Sequence, residues 1–569
     1  MDAATDAVAS SAGVPNVTTV SARAWCRPAT AIVAGIVWAL AFPLPGWSAL
    51  AWIAPGLLLA TGFDLPPGPA FRLGFVAGLA HHLVGLRWLL LIPFPSGAVA
   101  AWLGLSAYSA LFAGFWLMLT ARGIRLRCGM TGPRPEWRRS VQAVCDLNEW
   151  QRQTLWIWSA ALWVALELVR CRFLGGFPWN LFGITQWRNL PLLQVAAVTG
   201  VYGISFLLCW ISVSLAGALA LLVFRPGHRR GWTVSLRLPV LVLLLVLGSG
   251  FRRLVTAARP GDRTVALALV QPSIPQRLIW DDAANPARFE KVLALTREAL
   301  ATRPDAVIWP EGSMPDLTRE QSDRVLSVLR GTGAAWILGT AYGQQVDGVP
   351  EQYNAALLLD PEGRLAGRYH KQRLVIFGEF IPFERTLPFL KWFTPIGSSF
   401  TPGRGPARFE FGSDAVVASP MICFEDVFPH HTRSHATPDT DFLLELTNNG
   451  WFGESSAQWQ HTANAALRAV ENGVPLVRCA NNGLTCWLDE FGGLHDVLRS
   501  SNGSVYDAGV LVTRVPLKPD SSVRPLTPYH RHGDLFAGCC LAVAVTGVLR
   551  GRQKSVASPI RPSNKAPDT

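Results

Sequence analysis

Charged residues are scarce in this 569-residue chain: Asp, Glu, Lys and Arg together make up 16%, whereas half of the residues are hydrophobic. This composition is unusual for a soluble enzyme and is typical of a membrane protein. The net charge of +12 does not indicate nucleic-acid binding, because many basic residues lie in short loops between apolar segments and no nucleic-acid motif is present. We therefore expect a membrane protein with no nucleic-acid partner.

Cysteine and histidine also lack the spacing of a structural metal site. The ten cysteines are scattered, and the histidine pairs at 81–82 and 430–431 are adjacent rather than spaced as metal ligands. Cys479 and Cys486 are close enough in sequence to pair across a turn, but we expect two free thiols. We accordingly predict no metal and no cofactor.

Long apolar segments dominate the first half of the chain. A membrane-spanning helix needs about 20 apolar residues, with a range of about 17–25. Segments near this length precede residue 257 at about 29–43, 47–63, 70–93, 97–120, 154–170, 192–224 and 236–256. The first is short and ends in a proline-rich turn, so half of a helical hairpin is an alternative there. The sixth is long enough to include a loop lying on the membrane.

Arginine is distributed unevenly among the loops, and this predicts the orientation of the segments. The 121–153 and 225–237 loops are rich in arginine, whereas the 44–46 and 94–96 turns carry no charge. Because positively charged loops stay in the cytoplasm, seven crossings would place the chain after residue 257 outside. An eighth apolar run at 535–549 would return the basic C-terminal tail to the cytoplasm.

These patterns divide the chain into five parts. They are a cytoplasmic N-terminal tail (1–27), a transmembrane helical domain (28–256), an extracytoplasmic domain (257–528), a C-terminal transmembrane helix (529–549) and a cytoplasmic, disordered tail (550–569). A cleaved signal peptide is not expected, because further membrane segments follow the first apolar run.

Glu167 and Arg170 lie within the fifth apolar segment. An ionisable residue in a membrane helix suggests a functional site by default. The spacing of three residues allows the two side chains to form an ion pair on one helix face. We expect this structural pair.

The composition changes after residue 260, where short apolar strands alternate with amphipathic helices. The pattern predicts strands at 264–271, 306–309, 335–342, 353–360, 364–369, 442–447 and 476–480, and helices at 286–302, 318–330 and 457–471. This alternation indicates an α/β domain. The long segment 376–405 interrupts it and is rich in aromatic residues, so we expect a lid or a binding loop rather than disorder.

A single cysteine ends the apolar run 415–422. Glu425 and Asp426 follow Cys423 closely, as in the first turn of a helix. Ligands bind at strand ends in open α/β sheets, and a helix N-terminus helps to hold a thiolate, which is the nucleophilic form. For one cysteine alone, a buried structural role is the commoner interpretation, so the assignment depends on the rest of the chain.

Two further chemical groups stand at predicted strand ends. Glu311 follows the strand at 306–309, and Lys371 follows the hairpin formed by 353–369. The order Glu, Lys, Cys resembles the nitrilase superfamily of carbon–nitrogen hydrolases. The resemblance implies a sandwich of two sheets between helix layers, an α-β-β-α arrangement.

Additional motifs narrow the resemblance. They are Gly-Phe-Pro-Trp at 176–179, Gln-Pro-Ser-Ile-Pro-Gln at 271–276, Phe-Gly-Glu-Phe-Ile-Pro at 377–382, Thr-Asn-Asn-Gly-Trp-Phe-Gly at 447–453, Trp-Gln-His at 459–461 and Thr-Pro-Tyr at 527–529. With apolar segments on both flanks, this ordered set resembles the bacterial apolipoprotein N-acyltransferases over roughly residues 29–549.

The resemblance implies an acyltransferase of the bacterial inner membrane with its catalytic domain on the periplasmic side. That family moves an acyl chain from a phospholipid to the amino group of a lipoprotein's N-terminal diacylglyceryl-cysteine. The expected partners are therefore the phospholipid donor, the diacylated apolipoprotein and the lipid bilayer. We expect a monomer.

Three residues would carry this chemistry. Cys423 would attack an ester to form a thioester that an amine then cleaves, which gives ping-pong kinetics. Glu311 is expected to take the thiol proton and later the amine proton. Lys371 is expected to stabilise the tetrahedral oxyanion, with the backbone N–H after Cys423 as a second donor.

The resemblance also implies supporting or substrate-binding residues, which are Glu379, Glu425, Phe424, Trp280 and Trp451. Trp280 is expected near the lipid. Two positions depart from the family pattern. Phe424 stands where a tyrosine is frequent, and Asn449 stands where we expect an acid.

Two other functions are compatible with parts of the sequence. A membrane-tethered amidase that hydrolyses a small amide would use the same three residues, but eight membrane segments exceed what a tether needs. A transporter with an extracytoplasmic binding domain would require polar residues and broken helices deep in the membrane. Few such residues are evident beyond Glu167 and Arg170.

Overall fold

The computed structural model describes residues 17–130, 132, 136–227, 231–257, 263–384, 386–518 and 523–556. Residues 1–16 and 557–569, which hold most of the two predicted tails, lie outside the described residues. The first helix begins at Val17, well inside the predicted N-terminal tail.

Helices make up the first part of the chain. They are α1 (Val17–Leu40), α2 (Ala54–Gly62), α3 (Pro67–Gly85), α4 (Pro95–Arg127), α5 (Trp137–Cys145), α6 (Glu149–Arg170), α7 (Leu190–Leu193), α8 (Ala196–Thr199), α9 (Val201–Phe224) and α10 (Gly231–Thr256). Within the described part of the chain, three of them are long and apolar enough to cross a membrane: α4, α9 and α10.

Residues 47–63 do not form the single helix that their apolarity predicted. The chain makes a 3-10 turn at Ser48–Trp52 and then the nine-residue helix α2. At 1.5 Å per residue, α2 is about 14 Å long, roughly half of the hydrocarbon thickness of a bilayer. Pro55 lies in the first turn of α2, where its missing N–H costs no helical hydrogen bond, so the helix begins there.

Polar contacts join several helix ends at one end of the bundle. Arg27 of α1 makes a bidentate ion pair with Asp64, which precedes α3, at 2.9 Å. Arg125 near the end of α4 donates to the Asp64 carbonyl at 2.7 Å. Ser235 of α10 donates to Glu149, the first residue of α6, at 2.8 Å. Arg27, Arg125, Glu149 and Ser235 belong to segments that are predicted to be cytoplasmic.

Glu167 and Arg170 do not form the ion pair that their spacing suggested. Glu167 Oε1 accepts the N–H of Phe182 at 2.7 Å and the indole N–H of Trp163 at 3.3 Å. Arg170 instead contacts the His82 ring at 3.2 Å and donates to the Asn180 carbonyl at 3.3 Å. Spacing along a helix allows a pair to meet, but here the loop after α6 supplies better-placed partners.

The second part of the chain is built on strands. They are β1 (Thr264–Gln271), β2 (Ala306–Trp309), β3 (Ala335–Val346), β4 (Val349–Leu359), β5 (Leu365–His370), β6 (Phe409–Phe411), β7 (Val416–Ile422), β8 (Phe442–Thr447), β9 (Leu476–Ala480), β10 (Cys486–Leu488), β11 (Leu494–His495) and β12 (Gly509–Pro516). The accompanying helices are α11 (Gln276–Ile279), α12 (Asn285–Ala301), α13 (Arg319–Leu329), α14 (Pro429–His435), α15 (Ser456–Asn472) and α16 (Pro528–His532), and α17 (Leu535–Val556) follows.

The strands form two six-stranded sheets of the predicted sandwich. Their orders are β12-β1-β2-β3-β4-β5 and β11-β10-β9-β8-β7-β6. The central strands β1–β2–β3 and β7–β8–β9 are parallel, and the outer strands are antiparallel. Strands buried on both faces read as continuous apolar runs, which is why the sequence located β2 and β8 correctly.

Three apolar layers hold this sandwich together. Between the sheets, Leu267 and Ile308 of the first pack with Leu444 and Val477 of the second. The outer face of the first sheet is covered by α12 and α13. The outer face of the second sheet is covered by α15, whose other side joins the same apolar cluster as the membrane helices.

One glutamine joins the two parts of the chain. The side-chain oxygen of Gln460, on α15, accepts the indole N–H groups of Trp88 at 3.1 Å and Trp179 at 2.8 Å. Its amide nitrogen donates to the carbonyl of Gly85, the last residue of α3, at 3.2 Å. The α/β domain is thereby fixed to loops of the helical bundle at a fully buried point.

Candidate active site

The three chemically active residues predicted from the sequence follow strands of the two sheets. Glu311 lies two residues after β2, Lys371 directly after β5 and Cys423 directly after β7. The Asn448 N–H, after β8 of the second sheet, donates to Glu311 Oε2 at 2.9 Å and links the two sheets here. The fold thus brings residues together that are more than a hundred positions apart in sequence.

Lys371 lies between two carboxylates. Its Nζ is 2.9 Å from Glu311 Oε1 and 2.9 Å from Glu379 Oε1. Asn354 of β4 donates to the same two oxygens at 2.7 and 2.6 Å. The Val375 N–H donates to the second oxygen of Glu379 at 2.8 Å. The three charged side chains are therefore locked in one hydrogen-bonded arrangement, with Lys371 fully buried.

The charges in this arrangement shift one another's pKa values. Burial alone would lower the pKa of Lys371, but the carboxylates of Glu311 and Glu379 outweigh it and raise the pKa well above its usual value. Burial raises the pKa of Glu379, and the negative charge of Glu311 adds to this effect against the opposing charge of Lys371. These effects favour the charged ammonium form of Lys371, which is suited to stabilise an oxyanion.

Cys423 occupies a sharp turn at the end of β7. Its φ is 53°, in the left-handed region, which costs a non-glycine residue of order 1–3 kcal/mol. The residue is partly exposed, whereas its neighbours Ile422 and Glu425 are buried. A nucleophile held on a strained turn is directed away from the strand and into the space in front of it.

The thiol of Cys423 is not held as a thiolate. Desolvation raises its pKa well above the usual value, and the charge of Glu311 adds to this; Lys371, the Thr447 hydroxyl and the Asn448 N–H act in the opposite direction without overcoming it. The segment after Cys423 is a 3-10 helix of five residues, Cys423–Val427, so the stabilising helix N-terminus that we expected is not present. The resting group is a thiol and needs a base.

Glu425 connects the cysteine turn to the lysine loop. One of its oxygens accepts the N–H groups of Gln372 and Arg373 at 2.7 and 3.0 Å. The other accepts the Ile422 N–H at 2.8 Å and the Tyr369 hydroxyl at 2.7 Å. Although burial raises the pKa of Glu425, the hydrogen bond and charge of His431 lead the effects that bring it down to about 2. This carboxylate therefore fixes the backbone on both sides of the site.

Aromatic rings line the outside of the cysteine turn. Phe424 lies nearly parallel to Phe177 and Trp179, with ring centroids 6.4 and 6.3 Å away, and Phe428 meets it edge-on at 5.1 Å. These rings belong to a cluster with Trp88 and Leu89 from the N-terminal, helical part of the chain. An apolar wall next to the nucleophile suits a hydrocarbon chain better than a small polar substrate.

Trp280 and Trp451, which were predicted as supporting residues, form a second aromatic pair. Trp280 and Trp451 meet edge-on, with ring centroids 5.1 Å apart, and Trp280 is 40% exposed. Asn448, three residues before Trp451, also donates to the Gln276 side chain at 2.9 Å. The two predicted tryptophans are thereby joined to each other and to the segment that contacts Glu311.

The segment 376–405 forms a long loop, as predicted. It contains one 3-10 turn, Pro388–Phe393, and exposes Phe383 and Trp392 by 73% and 77%. This turn lies against the start of α4, where a Cβ on Gly97 would come within 2.7 Å of the Phe393 carbonyl oxygen. The loop therefore presents aromatic side chains next to the membrane helices.

Sequence reasoning missed two features of the site. Asn354, a polar residue within an apolar strand, binds both carboxylates and could have been suspected from that position alone. Glu445 and Arg478 are opposite charges inside two buried strands, and β8 and β9 place them directly side by side. Opposite charges in adjacent buried strands predict an internal ionic network.

Two protein-family models match this chain, one in its helical part and one in its α/β part. Residues 34–214 match the family model described as "Apolipoprotein N-acyltransferase N-terminal domain". Residues 266–507 match the model described as "Carbon-nitrogen hydrolase".

Full-length relatives match nearly the whole chain. A protein of Geobacter metallireducens named apolipoprotein N-acyltransferase is 34% identical over 540 residues, which cover 92% of this chain and 95% of that protein. A protein of the same name from Caulobacter vibrioides is 28% identical over 566 residues, which cover 95% and 98% of the two chains. Among solved structures, an amidase from Nesterenkonia sp. AN1 covers 49% of this chain and 97% of its own, with 17% identity and a TM-score of 0.34.

Proposed function

The chain belongs to the apolipoprotein N-acyltransferase family, and from this premise we propose how it acts. A phospholipid donates an acyl chain to Cys423, and the resulting thioester passes it to the N-terminal amine of a diacylglyceryl-cysteine on an apolipoprotein. The arrangement that carries the proposal is Lys371 held between Glu311 and Glu379 beside a strand-end cysteine.

The first half-reaction begins with the neutral thiol. Glu311 takes the proton from Cys423, and the sulfur attacks the ester carbonyl carbon of the phospholipid. The oxyanion that forms is stabilised by Lys371 and by the N–H of Phe424, which lies in the first turn of a 3-10 helix and has no partner in that turn. The C–O bond then breaks, Glu311 returns its proton to the leaving alkoxide, and lysophospholipid departs.

The second half-reaction uses the same groups with an amine. The neutral α-amine of the apolipoprotein attacks the thioester carbon while Glu311 accepts its proton. Collapse of the tetrahedral species breaks the C–S bond, and the proton passes from Glu311 to the sulfur. The products are an amide on the lipoprotein and the free thiol, so the enzyme returns to its starting state without a cofactor.

A trapping experiment tests the covalent step. Purified protein is incubated with donor phospholipid and no acceptor, and its intact mass is measured. We expect one added acyl mass that hydroxylamine removes, as a thioester requires. Cys423→Ala should abolish the adduct, and Glu311→Gln should slow its formation. Cys479→Ala is the matched control, because that thiol is buried in β9, two strands from β7 in the same sheet, and lies within hydrogen-bonding distance of the carbonyl oxygens of Val270 and Ile308. In a parallel incubation that also contains a diacylated lipopeptide acceptor, an N-acylated product formed by Cys423→Ala at near the wild-type rate would exclude the thioester.

We also propose a multi-pass topology in the inner membrane with the α/β domain in the periplasm. The contacts of Arg27, Arg125 and Ser235 join the helix ends predicted to be cytoplasmic, and Gln460 joins the opposite end to the α/β domain. The short helix α2 with its preceding turn would then make the second of seven crossings before residue 257. A monomer suffices for this arrangement, and the bilayer supplies the acyl donor.

The loop 376–405 is proposed to gate access from the membrane. Its exposed aromatic residues would lie against the outer face of the bilayer, and the contact of Phe393 with the start of α4 supports this proposal. Closure of such a loop would keep water away from the thioester and so prevent its hydrolysis before the acceptor amine arrives. The Lys391–Glu384 ion pair at 2.9 Å holds the 3-10 turn to the preceding part of the loop.

A further inference from the structure

Four ionisable side chains are buried next to the cysteine turn. They are Asp426, Glu445, His461 and Arg478, each at most 1% exposed. None of them has a part in the two half-reactions proposed above. Burying so many ionisable groups is costly unless each of them is paired.

Arg478 anchors the group of four. Its Nη1 donates to Asp426 Oδ2 at 3.2 Å and also to a carboxylate oxygen of Glu445. Asp426, Glu445 and His461 lie near enough together to hold a metal ion. The guanidinium of Arg478, however, already donates to both carboxylates and places a positive charge where a cation would bind. The group is therefore an ionic network rather than a metal site.

His461 is the member of this network that reaches the nucleophile. Its Nε2 lies 2.7 Å from Asp426 Oδ1 and 3.3 Å from the backbone carbonyl oxygen of Cys423. Its Nδ1 lies 3.1 Å from the side-chain amide of Asn449. Nε2 also lies 3.3 Å from Glu445 Oε1. The imidazole is thus held at both ring nitrogens, and one of its contacts is the backbone of Cys423 itself.

The backbone of Cys423 needs such support. Its left-handed conformation, with φ of 53°, is unfavourable for a residue with a Cβ and persists only where the surroundings determine it. Its carbonyl faces into the protein, where a donor satisfies it. If that donor were lost, the turn could relax toward a commoner backbone conformation, and Sγ would move with it.

We propose that His461 is a positioning residue for Cys423: its Nε2–H holds the Cys423 carbonyl and so keeps the thiol directed toward Glu311 and Lys371. Asp426, fixed by Arg478, accepts from the same Nε2–H and so fixes the orientation of the ring. This inference rests on the proposed function, because it assumes that Cys423 carries the acyl group.

The protonation state of His461 agrees with this role. Burial lowers its pKa to about 4, so the ring is neutral near pH 7 and one nitrogen carries the proton. A proton on Nε2 serves both the Asp426 carboxylate and the Cys423 carbonyl, which leaves Nδ1 as an acceptor. Asn449 Nδ2 has no partner as placed, and turning the amide by 180° directs that donor to Nδ1. An acid at position 449 would instead favour a positively charged ring, so the unexpected Asn449 fits a neutral His461.

The test compares four variants of the full-length protein in detergent. The rate of acyl-adduct formation on Cys423 is measured by intact mass at several donor concentrations. His461→Leu removes the donor. His461→Gln places an amide N–H near the position of Nε2, whereas His461→Asn places one near Nδ1. Thr462→Val is the matched control, since Thr462 is buried on the same helix and donates only to the Gln458 carbonyl of that helix.

We expect His461→Leu to slow acylation about 10- to 100-fold, the scale of a small misplacement of a reacting group. The donor concentration at half-maximal rate should not change, because His461 does not touch the donor. His461→Gln should remain within a few-fold of wild type, and Thr462→Val should match it. His461→Asn should be as slow as His461→Leu.

Wild-type rates in His461→Leu would overturn the inference. If that variant fails to fold, equal rates in the Gln and Asn variants would overturn it as well, because a purely structural need for a polar side chain does not distinguish the two nitrogen positions. A wild-type protein that forms no adduct would overturn the proposed function together with this inference. A wild-type adduct with equal rates in the His461 variants would overturn the inference alone.

Discussion

Replacing Lys371 by methionine would test the central arrangement most directly. Lys371 is fully buried and its ammonium lies 2.9 Å from an oxygen of each of two carboxylates, Glu311 and Glu379. Methionine has a similar length and no charge. The substitution therefore removes the cation while keeping most of the volume, and it leaves two buried carboxylates facing each other.

The expected cost follows from those distances. At an effective dielectric constant of about 20, each contact contributes roughly 6 kcal/mol before the penalty of burying the charges. Breaking a buried pair by removing one partner costs about 3–5 kcal/mol in measured cases. We expect a loss of that size in the free energy of unfolding. Thioester formation should also slow by about 10²–10³, because the oxyanion loses its charged donor.

The loss of stability should depend on pH. The charge of Lys371 lowers the pKa of Glu379, which burial already holds above its ordinary value of 4.5, so the substitution raises that pKa further. A carboxyl group whose pKa is higher in the folded chain stabilises the fold below the unfolded-state value and loses this contribution as the pH rises through the folded value. The variant should therefore become less stable, relative to wild type, as the pH rises through the folded-state pKa that Glu379 has in the wild type, which lies above 4.5.

Apparent unfolding temperatures in detergent, measured at several pH values, provide the assay. The double variant Lys371→Met/Glu379→Gln removes one of the two carboxylates that lose their cationic partner. It should recover much of the stability and little of the rate, which separates the electrostatic cost from the chemical one. The reasoning is refuted if Lys371→Met unfolds with the wild-type pH profile, or if the double variant is as unstable as the single one.

Three further outcomes are expected. Cysteines introduced into 257–528 should react with an impermeant external reagent and those in the 121–153 loop should not; protection of the α/β domain would contradict the topology. Replacing Phe389 and Trp392 by serine should slow acyl transfer in a folded protein, because the gating loop loses its apolar side chains; unchanged kinetics would exclude gating. Phe424→Tyr should change the rate of thioester formation less than about threefold, because the proposed donor at that residue is backbone and each backbone N–H is retained; a larger change, measured by intact mass, would assign a role to the ring.

The sequence predicted the α/β domain best where apolar runs were short and bounded. Observed β1, β2, β8 and β9 begin and end where the sequence placed them, since each is a buried, mostly apolar run between polar turns. The prediction of one continuous apolar segment at residues 47–63 was wrong. Apolarity predicts burial in a membrane, but it does not report whether the backbone is continuous, and Pro55 begins a new helix there.

Candidate site residues were predictable where the chemistry determines the residue type. Glu311, Lys371 and Cys423 could be proposed as base, cation and nucleophile because each follows a separate predicted strand. The structure brings Lys371 into contact with Glu311, and the catalytic roles stay predictions. Partners that meet only in the folded chain could not be found in this way. Glu167 and Arg170 are three positions apart yet bond to other groups, whereas Glu445 and Arg478 are far apart in sequence and bond to each other. Spacing along the chain shows which side chains can reach each other. It does not show which other groups of the folded chain offer better-placed hydrogen-bond partners.

The attachment of Gln460 to Trp88, Trp179 and Gly85 has a practical consequence for handling this molecule. A fragment restricted to the strands and their helices would leave the buried amide of Gln460 without partners and expose the apolar side of α15 to water. Such a fragment should aggregate rather than behave as a soluble enzyme. We also expect the α/β domain to lose activity on another anchor, because Phe177 and Trp179 of the aromatic wall beside Cys423 come from the bundle. The α/β domain and the helical bundle should therefore work only as a matched pair. A chimera that takes the α/β domain from a homologous chain should be active only if the segments around Trp88 and Trp179 come from the same homologue.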